Sequence, residues 1–305
     1  DPADDAIADL AGDPVPSIET LGFEEPTAEI PPAGTSPARD RLEAFLESNV
    51  HRYDDTRDDP AADATSRLSP HLTFGTIGIR ELYAKTAAAL NEADEAASEN
   101  IEAFQSQLAW REFYLQVLDD HPSMARKNLS GFANDIEWRD ADEEFAAWCA
   151  GTTGVPIVDA GMRQLAAEAW MHNRLRMIVA SFLTKDLLID WRRGYDWFRE
   201  QLVDHDIAND AGGWQWAAST GTDAVPYFRV FNPWTQGERF DEDATYIKRY
   251  VPELRDVSAA DIHGWDDLDD ARREDLAPSY PSPIVDHAAA RERALAAFEA
   301  ARGDD

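Results

Sequence analysis

From Ser36 onward the apolar residues recur at helical spacing. In SPARDRLEAFLES, Leu42, Phe45 and Leu46 fall on one helical face, with Ser36 as a cap and Pro37 in the first turn. The same period runs through IEAFQSQLAWREFYLQVL (101–118), through the long stretch from Val158 to Leu188, and through YDWFREQL (195–202). PSPIVDHAAARERALAAFEAAR (281–302) reads as a closing helix. No convincing run of alternating strand residues occurs, so the expected fold is mainly α. Ahead of this pattern, prolines at positions 2, 14, 16, 26, 31 and 32 lie among Asp and Glu and break any helical period. The chain is therefore expected to divide into a linker over 1–35 and a helical domain over 36–305. Residues 203–237 gather Gly, Asn, Asp, Pro and aromatics, a composition that predicts ordered loops around a site.

Composition narrows the class. The formal charge is -32, from 28 Lys and Arg against 60 Asp and Glu, and lysine occurs only at positions 85, 127, 185 and 248. Such a surface suits a protein of high-salt cytoplasm or one with an acidic partner-binding face. Cys149 is the only cysteine, which excludes an intrachain disulfide or cysteine cluster and leaves it a small buried residue. The scattered histidines offer no metal-binding spacing and no serine stands in a nucleophile elbow, so neither a metal nor acyl chemistry is expected. No apolar run approaches the roughly 18 residues a bilayer demands, and the opening DPADDAIADL lacks the regions of a signal peptide. The expectation is a soluble, cytoplasmic monomer with no membrane partner.

Three segments carry chemistry. In TSRLSPHLTFG (65–75), hydroxyls at Thr65, Ser66 and Ser69 surround Arg67, an arrangement that suits phosphate oxygens or a helix cap. In AGMRQLAAEAWMHNRLRM, Trp170, Asn173, Arg174, Arg176 and Met177 cluster within two helical turns, with Asn173 and Met177 on one face. From Arg163 to Arg199, seven basic side chains stand against four acidic ones, a local net of +3 in a strongly anionic chain. Arginines interleaved with Trp170, Trp191 and Trp197 can meet phosphates while aromatics stack on bases; helix ion pairs such as Arg176 with Asp186 would use some of the same charges. Ten tryptophans are many for this length, and Trp214 and Trp216 lie beside two glycines that would permit close approach to a ligand; burial alone would also account for most of the tryptophans.

Taken together, TSRLS, LAWREFY, VPIVDAGMRQL, WMHNRLRMIVASFLTKDLLIDW and GGWQWAASTGTDAVPYFRVFNPWTQGERFD resemble the photolyase and cryptochrome family, in particular class I cyclobutane pyrimidine dimer photolyases. The resemblance implies a helical FAD-binding domain, with the N-terminal α/β antenna domain and its chromophore absent from this sequence. It implies that Tyr53, Thr65, Ser66, Arg67, Leu68 and Ser69 contact the flavin's phosphates and ribityl chain, and that Asn173, Arg176, Asp204 and Asp206 surround its remaining parts. Phe104, Arg111, His205 and Asp210 would complete the FAD site, with Asp186 as the ion-pair partner of Arg176. UV-damaged DNA is the implied partner. Its flipped-out dimer would meet Gln107, Asn173 and Met177 between Trp110 and Trp216, while Arg57, Arg111, Arg174 and Arg229 would meet phosphates. Reduced FAD is the implied active form, and Trp214, Trp191 and Trp138 match the family's electron-transfer chain.

Two positions depart from the family's best-known repair pattern. Gln107 stands where a glutamate is expected; an amide keeps hydrogen bonding but cannot offer a carboxyl proton to a pyrimidine radical anion. Asp210 stands where an asparagine is expected near flavin N5, as in plant cryptochromes, which keeps a blue-light photoreceptor as the alternative. A (6-4) photolyase would carry histidines at the positions of Asn173 and Met177.

Overall fold

The computed structural model describes residues 16–223 and 228–303; the rest of the expected linker and the Ala224–Tyr227 part of the glycine- and tryptophan-rich motif lie outside them. The described part of the linker is largely exposed, irregular chain with one turn near its start, and it touches the domain through Glu29 N donating to Ala167 O at 2.8 Å. Ten helices of eight or more residues follow among the described residues, with no strand: α1 (Thr35–Glu47), α2 (Ile79–Glu92), α3 (Glu95–Asp120), α4 (Asp142–Ala150), α5 (Pro156–Glu168), α6 (Asn173–Ser181), α7 (Trp191–Gln201), α8 (Ile207–Ala218), α9 (Pro233–Phe240) and α10 (His287–Arg302). None of the described helices is long and apolar enough to cross a membrane.

Two cores organise these helices. The smaller packs Leu42 and Phe45 of α1 and Leu82 of α2 against Ile101, Phe104 and Leu108 of α3. The larger surrounds α5 and α6 and takes in Trp148, Trp191, Phe198 and Trp214. Helix α1 begins one residue before the expected cap: Gly34, at φ 113°, precedes it, and Ser36 lies inside the helix with no side-chain capping bond.

The apolar stretch from Val158 to Leu188 is not continuous helix. Ala169 turns left-handed at φ 48° and its carbonyl accepts from Val203 N at 2.8 Å, and His172 Nδ1 then caps α6 by accepting from Arg174 N at 3.1 Å. After Ser181 the chain widens into a π-helical turn, Phe182–Asp186. This turn buries Lys185 completely, its Nζ donating to Ala218 O and Ser219 Oγ at 2.9 Å and lying 4.0 Å from the ring centres of Phe228 and Phe298. Burial, with Arg302 nearby, pushes its pKa well below the ordinary lysine value.

Residues 203–237 are not all loop either, because α8 occupies their centre. Asp206 caps it by accepting from Asn209 N at 3.0 Å. Gly212 is there for helix packing: a Cβ at that position would lie 2.2 Å from Tyr114 Cδ1 of α3. Ligand approach therefore does not explain this glycine.

Candidate functional site

Helix α3 presents Ala103, Ser106, Gln107 and Trp110 at helical spacing on one face. Opposite them α6 presents Asn173, Arg174 and Met177, and Arg57 and Asp58 close the mouth of a cavity of about 390 Å³. Its polar groups have slack. Gln107 Nε2 makes only a long 3.5 Å contact to Ala103 O, and Asn173 Nδ2 lies 3.7 Å from Met177 Sδ. Trp110 is half exposed and flanked by Phe113 and Tyr114. The cavity thus joins an aromatic wall, two amides and two arginines, a combination that binds a flat, hydrogen-bonding group attached to an anion.

One turn along α6, Arg176 is held from three sides. Its Nη2 donates to Asp204 Oδ1 and Oδ2 at 2.9 and 2.8 Å, its Nε donates to Met171 O at 2.8 Å, and its Nη1 lies 3.6 Å from Asp210 Oδ1. Burial opposes the guanidinium charge, but the carboxylates of Asp204 and Asp210 outweigh it and raise the pKa of Arg176. Asp186, the expected partner, is elsewhere: its Oδ1 lies 2.5 Å from His287 Nδ1 of α10, and its carbonyl accepts from Arg293. Ten helical residues advance the chain by about 15 Å, so the two side chains could not have met.

Asp210 has a second neighbour, since its Oδ2 lies 2.6 Å from His205 Nδ1 and accepts from Asp206 N at 3.0 Å. Burial raises its carboxyl pKa, against the His205 hydrogen bond and the charge of Arg176. Arg111 reaches Asp206 at 3.4 Å.

Across the site, Thr65–Ser69 leads into a short helix. Arg67, left-handed at φ 50°, spends its charge within the protein, on Asp63 at 2.8 Å and Glu168 at 2.7 Å, and lies 4.2 Å from the ring centre of Trp170. Ser69 Oγ accepts from Trp170 Nε1 at 3.2 Å, and Ser66 Oγ receives Leu68 N at 3.4 Å. Tyr53 stands edge-on to Phe104 at 5.2 Å, its phenol pushed up to about 12 by burial.

Residues 104–300 match the family model described as the FAD binding domain of DNA photolyase. The chain belongs to the photolyase FAD-binding domain family. It is 61% identical over 305 residues to the deoxyribodipyrimidine photo-lyase of Halobacterium salinarum, a match that takes in 99% of this chain and 63% of that one. It resembles the structure of a class III photolyase from Agrobacterium tumefaciens, with a TM-score of 0.83 and 45% identity, covering 89% of this chain and 56% of that one. It also resembles a Synechocystis cryptochrome, with a TM-score of 0.83 and 28% identity, covering 92% and 60%. The chain therefore spans about three fifths of the length of these relatives.

FAD is the cofactor of this photolyase domain, and the side chains suit it. Thr65 Oγ1 and His205 Nε2 are both buried without a partner in the protein, which a ligand's oxygens or nitrogens would satisfy. Arg176, ion-paired to Asp204 and 3.6 Å from Asp210, joins His205 through Asp210 in one buried polar cluster.

Apart from Arg111, which is held on Asp206, the residues expected to meet DNA fall into two places. Arg57, Gln107, Trp110, Asn173, Arg174 and Met177 share the cavity, while Trp216 and Arg229 line a separate small hollow with Phe231 and Ser181. The arginines already carry carboxylates: Arg57 with Asp54 at 3.1 Å, Arg174 with Asp58 at 2.6 Å and Arg229 with Asp223 at 3.5 Å. Of the three tryptophans expected to pass electrons, Trp214 and Trp191 are buried and Trp138 is half-buried against Phe298 at 5.8 Å. Trp191 Nε1 donates to Asn128 Oδ1 at 2.9 Å. Sequence reading missed Asp58, hidden in an acidic run, and Trp148, whose ring centre lies 6.1 Å from that of Trp214.

Proposed function

We propose that this chain is the catalytic part of a class I cyclobutane pyrimidine dimer photolyase, repairing UV-damaged DNA in high-salt cytoplasm. The observation that carries the reading is the open cavity where Gln107 and Trp110 of α3 face Asn173 of α6, the helix that also bears Arg176. When bound and reduced, FAD would supply an electron to the dimer under light and recover it after ring opening, chemistry with no net redox change.

Each residue then has a physical task. Trp110 stacks on the flipped dimer, and the amides of Gln107 and Asn173 hold its carbonyls. Arg57 and Arg174 grip the flanking phosphates. Thr65, Ser66 and Ser69 turn hydroxyls toward the cofactor's phosphates and ribityl chain, and Arg176, neutralised on its far side by Asp204, favours negative charge on the ring system. Trp214, Trp191 and Trp138 run from the core toward the surface and would refill the cofactor with electrons before repair. An excess of acid over base with few lysines keeps such a surface hydrated at high salt.

The decisive experiment incubates the FAD-loaded, reduced chain with a thymine-dimer oligonucleotide in multimolar potassium chloride, under blue light and in darkness. Light-dependent loss of the dimer is the expected result. Cofactor photoreduction with no loss of dimer would instead support a photoreceptor, the reading that Asp210 and the likeness to a cryptochrome favour.

A further inference from the structure

The cavity mouth of this acidic protein contains a carboxylate with no part in the assignments above. Asp58 Oδ2 lies 2.6 Å from Arg174 Nη2, and both residues line the cavity. Arg174 is confined on another side, its guanidinium carbon lying 4.2 Å from the ring centre of Phe240, and its side chain is only 17% exposed against 45% for Asp58. An approaching polyanion therefore meets the carboxylate as well as the guanidinium. Arg57 repeats the arrangement with Asp54, as does Arg229 with Asp223. Each arginine expected on the DNA face here has its charge offset locally.

We infer that Asp58 stands in for a DNA phosphate at Arg174, so that docking of a damaged duplex exchanges this internal ion pair for a phosphate contact and releases Asp58 to recruit cations from solution. The inference rests on the DNA reading given above. Each phosphate neutralised by an arginine frees about 0.9 of a condensed counterion, which is why protein–DNA affinity falls as salt rises. An exposed carboxylate set free in the same step gathers cations again, and this uptake subtracts from the release. Affinity then falls less steeply with potassium chloride than the number of arginine contacts predicts. Screening acts in the same direction: at molar salt the Debye length is about 3 Å, so the Arg174–Asp58 pair, reached by solvent from the Asp58 side, loosens under the conditions that weaken DNA binding most. Asp58 thus tempers phosphate binding at low salt and costs little at high salt.

The test is fluorescence anisotropy of a dye-labelled duplex bearing one thymine dimer, titrated with the FAD-loaded chain from tenth-molar to multimolar potassium chloride. Asp58→Asn is expected to bind several-fold more tightly at the low end and to steepen the slope of log affinity against log salt by up to about 0.9. Asp58→Glu should restore the wild-type slope. In an Arg174→Gln background, Asp58→Asn should lose most of its effect on the slope, leaving only the small gain in affinity that relief of direct repulsion by an exposed carboxylate gives. Asp275→Asn, which removes an exposed charge paired to Arg272 outside the cavity, controls for net charge. The inference is overturned if Asp58→Asn leaves the slope at the wild-type value, if its full effect on the slope survives in Arg174→Gln, or if Asp275→Asn reproduces it. A wild-type chain that binds the duplex at no salt concentration would refute the DNA reading and this inference with it; wild-type binding with an unmoved Asp58→Asn slope refutes the inference alone.

Discussion

Two adjacent glycines in α8 should respond in opposite directions to the same substitution. A Cβ on Gly212 would lie 2.2, 2.3 and 2.9 Å from Cδ1, Cε1 and Cγ of Tyr114, whereas one on Gly213 would meet nothing within 4 Å. The Tyr114 ring packs on Phe113 at 5.3 Å and Trp110 at 6.2 Å between ring centres, so moving it aside disturbs both contacts. Forcing a methyl into such a contact costs about 1–3 kcal/mol, and replacing a helical glycine by alanine returns about 0.5–1 kcal/mol. Gly212→Ala should therefore lose up to about 2.5 kcal/mol net and Gly213→Ala should gain about 0.5–1 kcal/mol. At about 2 °C per kcal/mol for a domain of this size, the clash alone should separate the two melting temperatures by about 2–6 °C, with wild type between them. Thermal unfolding and urea midpoints, measured in one potassium chloride buffer, provide the assay. If both variants move in the same direction, or if Gly212→Ala melts with wild type, the close approach of α8 to α3 is not what selects glycine there.

Three further outcomes follow from the site. Because burial raises the Asp210 carboxyl pKa, the stabilising share of its protonated form is complete below the ordinary carboxyl value of 3.8 and is lost as pH rises through the raised value; Asp210→Asn should gain stability on wild type as pH climbs above 3.8, and a flat difference in melting temperature over that range would contradict this. Trp138→Phe should slow photoreduction of the oxidised cofactor, followed by its absorbance under blue light, while leaving dimer repair by the chemically reduced protein unchanged; equal loss of both would remove Trp138 from the electron route. Gln107→Glu should raise the yield of dimer repair per absorbed photon, read by chromatography of the irradiated oligonucleotide, because a protonated carboxyl offers a proton that the amide lacks; an unchanged or lower yield would end that argument.

The helices were legible where a polar–apolar period repeated without interruption. The period of α3 ran undisturbed through 101–118, and the family resemblance drew into one cavity residues as far apart in sequence as Arg57 and Met177. Composition misled where a residue type has two physical uses. Gly212 reads as a loop residue but is a contact surface for Tyr114, and the aspartate and glycines around α8 were a capped helix. Tertiary partners were the least legible. Asp186 is on the same continuous stretch as Arg176, yet it bonds to His287, which lies 101 residues further along the chain. Nothing local in TSRLS announces that Arg67 would be spent on Asp63 and Glu168. Left-handed Ala169, which splits the longest apolar stretch in two, carries no glycine or proline to mark the break.

The cage around Lys185 has a consequence for the order in which the chain is made. Its hydrogen-bond acceptors arrive with Ala218 and Ser219, but one of its two aromatic walls, Phe298, belongs to α10, and Arg293 of that helix also binds the carbonyl of Asp186. A nascent chain emerging N-terminus first can assemble α1–α9 while this amine still faces water, charged and hydrated. Only when α10 leaves the ribosome and docks can the π-helical turn be sealed. Sealing of this turn is thus deferred to the last helix of the described chain, and a ribosome stalled before residue 287 would hold a domain whose main core can pack while Lys185 is still open to solvent.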